Sequence, residues 1–170
     1  EDLKLVPSPR GDLPLELFGG KQYSRGAAIL HQLRIEIGDE AFRAAIRLYV
    51  RRHADSAVSS EDFRRSCEEA SGRDLKWFFD QWVYGSGYPV IKAAVEAAAG
   101  EPTRILLEQV QDAGGGQAAA YRITVPVRLG RGEAAQRARL DLRLRRQEFE
   151  IPFEAPEVVR VGEGGGVFAR

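Results

Sequence analysis

Apolar positions recur at spacings of three and four through the first half of this chain and alternate with polar ones in much of the second. Tyr23, Gly26, Leu30, Leu33 and Ile37 fall on one face of a predicted helix. Gly38 stops that helix, and Asp39 is placed to N-cap a second one carrying Phe42, Ala45, Ile46, Tyr49 and Val50 on a stripe. Arg51, Arg52 and His53 sit in its last turn, where cations suit the carbonyl end of the helix dipole. Ser59 with Asp62 has the spacing of a capping box, opening a third helix with Phe63, Cys67 and Ala70 inward. Arg64 with Glu68 and Arg65 with Glu69 are spaced as surface pairs. Gly72 ends the third helix and Asp74 can cap a fourth, whose Leu75, Phe78, Phe79, Trp82 and Val83 form a dense aromatic face.

After Gly85-Ser86-Gly87-Tyr88-Pro89 the period changes to two. Leu140, Leu142 and Leu144 alternate with Arg139, Asp141, Arg143 and Arg145, as in a half-buried strand. Further strands are predicted near 91–97, 105–110, 121–129, 149–153 and 158–161, with turns at 114–116 and 130–132. The predicted fold class is therefore α+β in two segregated parts. An irregular segment, 1–20, leads into a helical part, 21–88, and an all-β, immunoglobulin-like sandwich follows at 89–170.

Composition narrows the function classes. The 170 residues carry 25 Lys plus Arg and 25 Asp plus Glu, so no global field favours nucleic acid or an acidic membrane surface. No apolar run approaches the roughly 20 residues that cross a bilayer. One cysteine, Cys67, excludes an intrachain disulfide framework and leaves the compartment open. The sequence starts Glu1-Asp2-Leu3-Lys4 and has no methionine, which reads as a part of a longer protein with no visible signal peptide.

Several groups that could carry chemistry have plainer readings. His31 and His53 lie 22 positions apart on different predicted helices, with no acidic or cysteine partner at metal-ligand spacing. Cys67 shares an apolar stripe with Phe63 and Ala70, as a small buried hydrophobe would. The arginines between Arg128 and Arg146 lack interleaved aromatics and alternate along a strand, as on a solvated sheet face. Arg10-Gly11-Asp12 matches an integrin-binding tripeptide by chance occurrence in a proline-rich loop.

Tyr23-Ser24-Arg25-Gly26-Ala27 is the strongest signal. A phenol at a helix start is a rigid hydrogen-bond donor. Pattern alone also fits a tyrosine packing an apolar face with its hydroxyl near solvent. The run resembles the Tyr-x-(Lys/Arg)-Gly-Ala segment of the zinc aminopeptidases related to aminopeptidase N and leukotriene hydrolase, the gluzincin metallopeptidases. The Gly38-Asp39-Glu40-x-Phe42 turn, Tyr49-Val50-x-Arg52-His53, Ser60-Glu61-Asp62-Phe63, Ser71-Gly72-x-Asp74-Leu75, the 77–82 aromatic run and Gly87-Tyr88-Pro89 follow in the order that family shows.

The resemblance implies that residues 21–88 are the C-terminal part of a metallopeptidase catalytic domain, followed by its small β-sandwich. It implies that Tyr23 is catalytic, stabilising the transition state of peptide hydrolysis. In the intact enzyme it implies zinc as cofactor, a peptide with a free amino terminus as substrate, and an upstream zinc-binding part of the same chain as partner. No H-E-x-x-H and no G-x-M-E-N-type loop occurs in these residues, so no metal or substrate-binding residue is carried over and this stretch alone is expected to bind no zinc and hydrolyse nothing. Arg25 stands where the family usually has lysine. Two other readings stay open: a non-catalytic relative serving as a scaffold or protein-interaction domain, and an unrelated interaction module.

Overall fold

A computed structural model describes residues 20–112 and 117–162. It divides into two compact units, whose described parts are 20–86 and 87–162. The helical unit contains α1 (Gly20–Ile37), α2 (Asp39–Arg52), α3 (Ser60–Ser71) and α4 (Lys76–Trp82). The β unit contains β1 (Ile91–Glu96), β2 (Pro102–Gln109), β3 (Ile123–Leu129), β4 (Gln136–Leu142), β5 (Arg146–Glu154) and β6 (Val159–Val161). The class is α+β. The tripeptide at 10–12, the glycines at 114–116 and most of the 1–20 segment lie outside the described residues.

Local signals explain where the helices begin and end. Gly38 takes φ +89° and is itself the N-cap of α2, so Asp39 lies in the first turn instead of capping it. There its carboxylate meets Arg34 at 2.6 Å. Ser59 and Asp62 form the full capping box of α3, and Gly72 closes that helix in the left-handed region at φ +66°. The residue flanking α4 is Leu75, with Asp74 Oδ1 accepting from the Lys76 amide at 2.9 Å just outside the helix.

Packing departs from the predicted stripe on α1. Ile29, Gln32, Leu33 and Glu36 are the buried positions, whereas Tyr23 and Leu30 are exposed. The buried face is thus rotated by about a quarter turn from the apolar one, at 3.6 residues per turn. Glu36 is tolerated on it because it pairs with Arg73 at 3.0 Å, and Arg73 also donates to the Glu36 carbonyl. On α2 only Ala45 is fully buried, and Ile46 and Val50 remain open to solvent. The aromatic face of α4 is as expected, with Leu75, Phe78, Phe79, Trp82 and Val83 all buried.

The β unit holds two three-stranded antiparallel sheets, in orders β1-β2-β5 and β4-β3-β6. Alternation is clean on β2, where Thr103, Ile105, Leu107 and Gln109 are buried. β3 is a central strand yet contains Pro126. Its carbonyl accepts from Gly162 at 2.8 Å, one position past the end of β6, so the missing N–H removes only the reciprocal bond there. The predicted run through Leu144 is corrected: β4 ends at Leu142, and Leu144 is exposed in the turn to β5. Leu142 is the last alternating residue that reaches the core.

Candidate active site around Tyr23

Tyr23 lies in the first turn of α1, and its side chain is 68% exposed. The phenol is therefore presented at the surface instead of being sealed within the helix packing. Gly26, one turn later, opens a groove of ≈ 550 Å³ whose walls include Leu30, Ile46, Val50, Val58 and Phe63. Almost all of this wall is apolar, and Leu30, Val50 and Val58 are each more than two-fifths exposed. Residues three apart on a helix are neighbours, so Tyr23 stands beside the Gly26 end of that groove.

Arg25 faces another way. Two residues along a helix rotate a side chain by about 200°, so Arg25 leaves α1 nearly opposite Tyr23. Its Nη2 donates to the Trp82 carbonyl at 3.3 Å and to the Gly85 carbonyl at 3.2 Å. These acceptors mark the carbonyl end of α4, where a cation complements the aligned peptide dipoles. The chain tightens there: Val83 and Tyr84 both donate to the Phe79 carbonyl, at 2.9 and 3.1 Å. Gly85 then passes so close to the preceding turn that a Cβ would lie 2.3 Å from the Gln81 oxygen. Only glycine permits that approach.

The other candidates are dispersed. His53 ends α2, its amide donating to the Tyr49 carbonyl at 3.1 Å and its ring resting 5.4 Å from that of Tyr49. His31 lies on α1, and among the described residues no group of three or more His, Cys, Asp or Glu could hold a metal ion. Cys67 is fully buried, and burial pushes its thiol up to about 12. Arg137, Arg139, Arg143, Arg145 and Arg146 are exposed, and Arg143 is engaged by Asp141 at 2.5 Å. No helix among the described residues is long and apolar enough to cross a membrane.

Sequence reasoning singled out Tyr23 and missed the long-range bonds of Arg25, two positions further on. The reach of Arg25 to residues 57 and 60 positions away leaves no periodic trace. The Gly85-Ser86-Gly87 run was the available sign of a close approach at that point. The groove was missed for a related reason: Leu30, Ile46 and Val50 read as core by their spacing, and the structure leaves them open.

Comparison with known proteins supplies the remaining evidence. Residues 9–82 match the family described as the Peptidase family M1 domain. Glutamyl aminopeptidase of Bitis rhinoceros is 30% identical over 130 residues, which are 76% of this chain and 13% of that protein. Aminopeptidase N of Lactococcus lactis subsp. lactis is 37% identical over 73 residues, 43% of this chain and 9% of that one. The chain thus spans about an eighth or less of the curated relatives' length. In fold it is similar to Legionella pneumophila aminopeptidase A, solved with aspartic acid, at a TM-score of 0.70 and 22% identity, covering 91% of this chain and 18% of that one. On the matching domain and these relatives, the chain belongs to peptidase family M1.

Proposed function

We propose that this chain is part of a zinc-dependent aminopeptidase and contributes the tyrosine that stabilises the transition state. Hydrolysis of the first peptide bond passes through a tetrahedral species with negative charge on the former carbonyl oxygen. The Tyr23 hydroxyl donates to that oxygen, favouring the transition state over the ground state. One donor of this kind is worth about 10²–10³ in rate. The observation that carries the reading is the exposure of Tyr23 at the head of α1, within residues matched to the peptidase domain.

Zinc does not fit the residues of this chain: the sequence has no H-E-x-x-H, and no group of three or more potential metal ligands occurs among the described residues. A metal in the whole enzyme is held by other residues. The chain by itself binds no stoichiometric zinc and cleaves no peptide. On the same reading the β unit is the small immunoglobulin-like sandwich after the catalytic domain; the inward alternation of β2 and β3 supports two layers over a shared core.

Tyr23→Phe in the full-length protein tests the proposal. The expected result is a fall in kcat of about 10²–10³-fold with KM nearly unchanged. An effect on KM alone reassigns Tyr23 to ground-state binding, and full activity rejects the role. A parent protein without H-E-x-x-H would instead favour the scaffold reading, with the open groove beside Gly26 as its binding surface.

A further inference from the structure

We propose that Arg25 is the positioning residue for Tyr23, clamping the first turns of α1 to the end of α4 so that the phenol stands at a fixed place. This rests on the proposed role of Tyr23 and concerns how that role is achieved.

The need for a clamp follows from Tyr23 itself. A ring 68% exposed is not located by its own packing, so its position depends on the backbone beneath it. That backbone is a helix start, where the first four amides have no intrahelical partner and fraying is easiest. α1 has no acidic residue in its first turn to offset this. The first fully buried apolar residue of the helix is Ile29, six positions after Tyr23.

Arg25 supplies an anchor inside that interval. Its acceptors are backbone carbonyls, which do not change rotamer. The element bearing them is immobilised by Phe78, Phe79 and Trp82, all 3% exposed or less. The second acceptor belongs to Gly85, whose backbone passes close over Gln81 of the same helix. Because Arg25 points away from Tyr23, it restrains the turn without occupying the space in front of the phenol. A side chain that touches no substrate can thus govern where the donor sits, and misplacement by about 1 Å can cost about 10²-fold in rate.

The test uses the full-length protein and hydrolysis of an aminoacyl anilide. Arg25→Met is expected to lower kcat by about 10²-fold with little change in KM. Arg25→Lys, which keeps a cation able to reach both carbonyls, should recover most of the rate. The double variant Arg25→Met/Tyr23→Phe should be no slower than Tyr23→Phe alone, since one residue acts through the other. Amide exchange at 20–26 should quicken in Arg25→Met and not in Arg25→Lys. Multiplicative losses in the double variant, or unchanged exchange at 20–26, overturn the proposal. Should Arg25→Met fail to fold, Arg25→Gln carries the same comparison. Full activity in Tyr23→Phe defeats the proposed function instead, and exchange then decides by itself whether Arg25 holds the turn.

Discussion

The Gln109 side chain pairs with both backbone groups of Tyr121: its Nε2 donates to the Tyr121 carbonyl at 2.9 Å, and its Oε1 accepts from the Tyr121 amide at 2.8 Å. A side-chain amide is doing what a neighbouring strand would do. It acts where β2 ends and β3 has not begun, and both residues are essentially inaccessible. The same Nε2 also donates to the Leu144 carbonyl at 3.1 Å, linking the turn between β4 and β5. Gln109→Leu preserves bulk but removes these partners from buried backbone groups. The expected loss is about 1–3 kcal/mol for each group stripped of its bond. Denaturant-dependent hydrogen exchange over residues 87–162 measures it. A loss below about 0.5 kcal/mol would mean that the turn rearranges to satisfy Tyr121 another way.

The capping box of α3 gives a pH prediction. Asp62 Oδ2 accepts from the Ser59 hydroxyl at 2.6 Å and from the Ser59 amide at 2.9 Å, while the Asp62 amide donates to Ser59 Oγ at 3.3 Å. The Ser59 hydroxyl first, then its amide, hold the Asp62 carboxyl below its usual range, against an opposing effect of desolvation. A depressed folded value means that the stabilisation is complete above the unfolded value of about 3.9 and disappears as pH falls through the folded one. Asp62→Asn keeps an acceptor but does not titrate. Wild type should therefore exceed this variant in stability above about pH 3.9, with the gap closing in more acid solution. NMR titration of the Asp62 carboxyl and Ser59 amide should give a common midpoint below that value; a midpoint at or above it contradicts the account.

The sequence showed best what is governed by neighbours along the chain. Ser59, Asp62 and Gly72 bound α3 through bonds spanning three or four residues, and spacing alone located them. Gly38 was equally visible as a stop, though its role as cap in place of Asp39 was not, because Arg34 takes the Asp39 carboxylate. Which face of α1 is buried was misread, since periodicity counts apolar residues and cannot see that Arg73 makes Glu36 tolerable in the interior. Of the two predicted surface pairs, Arg64 meets Glu68 at 2.5 Å, whereas Arg65 leans to Glu61 at 3.6 Å and Glu69 joins Arg52 from α2 at 2.8 Å. At the candidate site, the family resemblance and not the local pattern singled out Tyr23, and the bonds of Arg25 to the Trp82 and Gly85 carbonyls form only when distant parts of the chain come within reach.

Cys67 provides a probe of the helical unit that does not depend on activity. It is fully buried on α3, and desolvation, with a smaller contribution from Glu68, pushes its thiol up to about 12. Only thiolate attacks an alkylating reagent, and an unperturbed cysteine ionises near 8.5. At neutral pH the folded protein should therefore hold about 10³-fold less thiolate than an unfolded chain, before any allowance for access. Alkylation followed by mass spectrometry should find Cys67 unmodified in the native protein. Modification should rise with denaturant in step with loss of the tryptophan signal from Trp77 and Trp82, both on α4. Labelling before that transition would show α3 opening away from α4 on its own, so the packing behind the Arg25 clamp would not be the rigid support required of it.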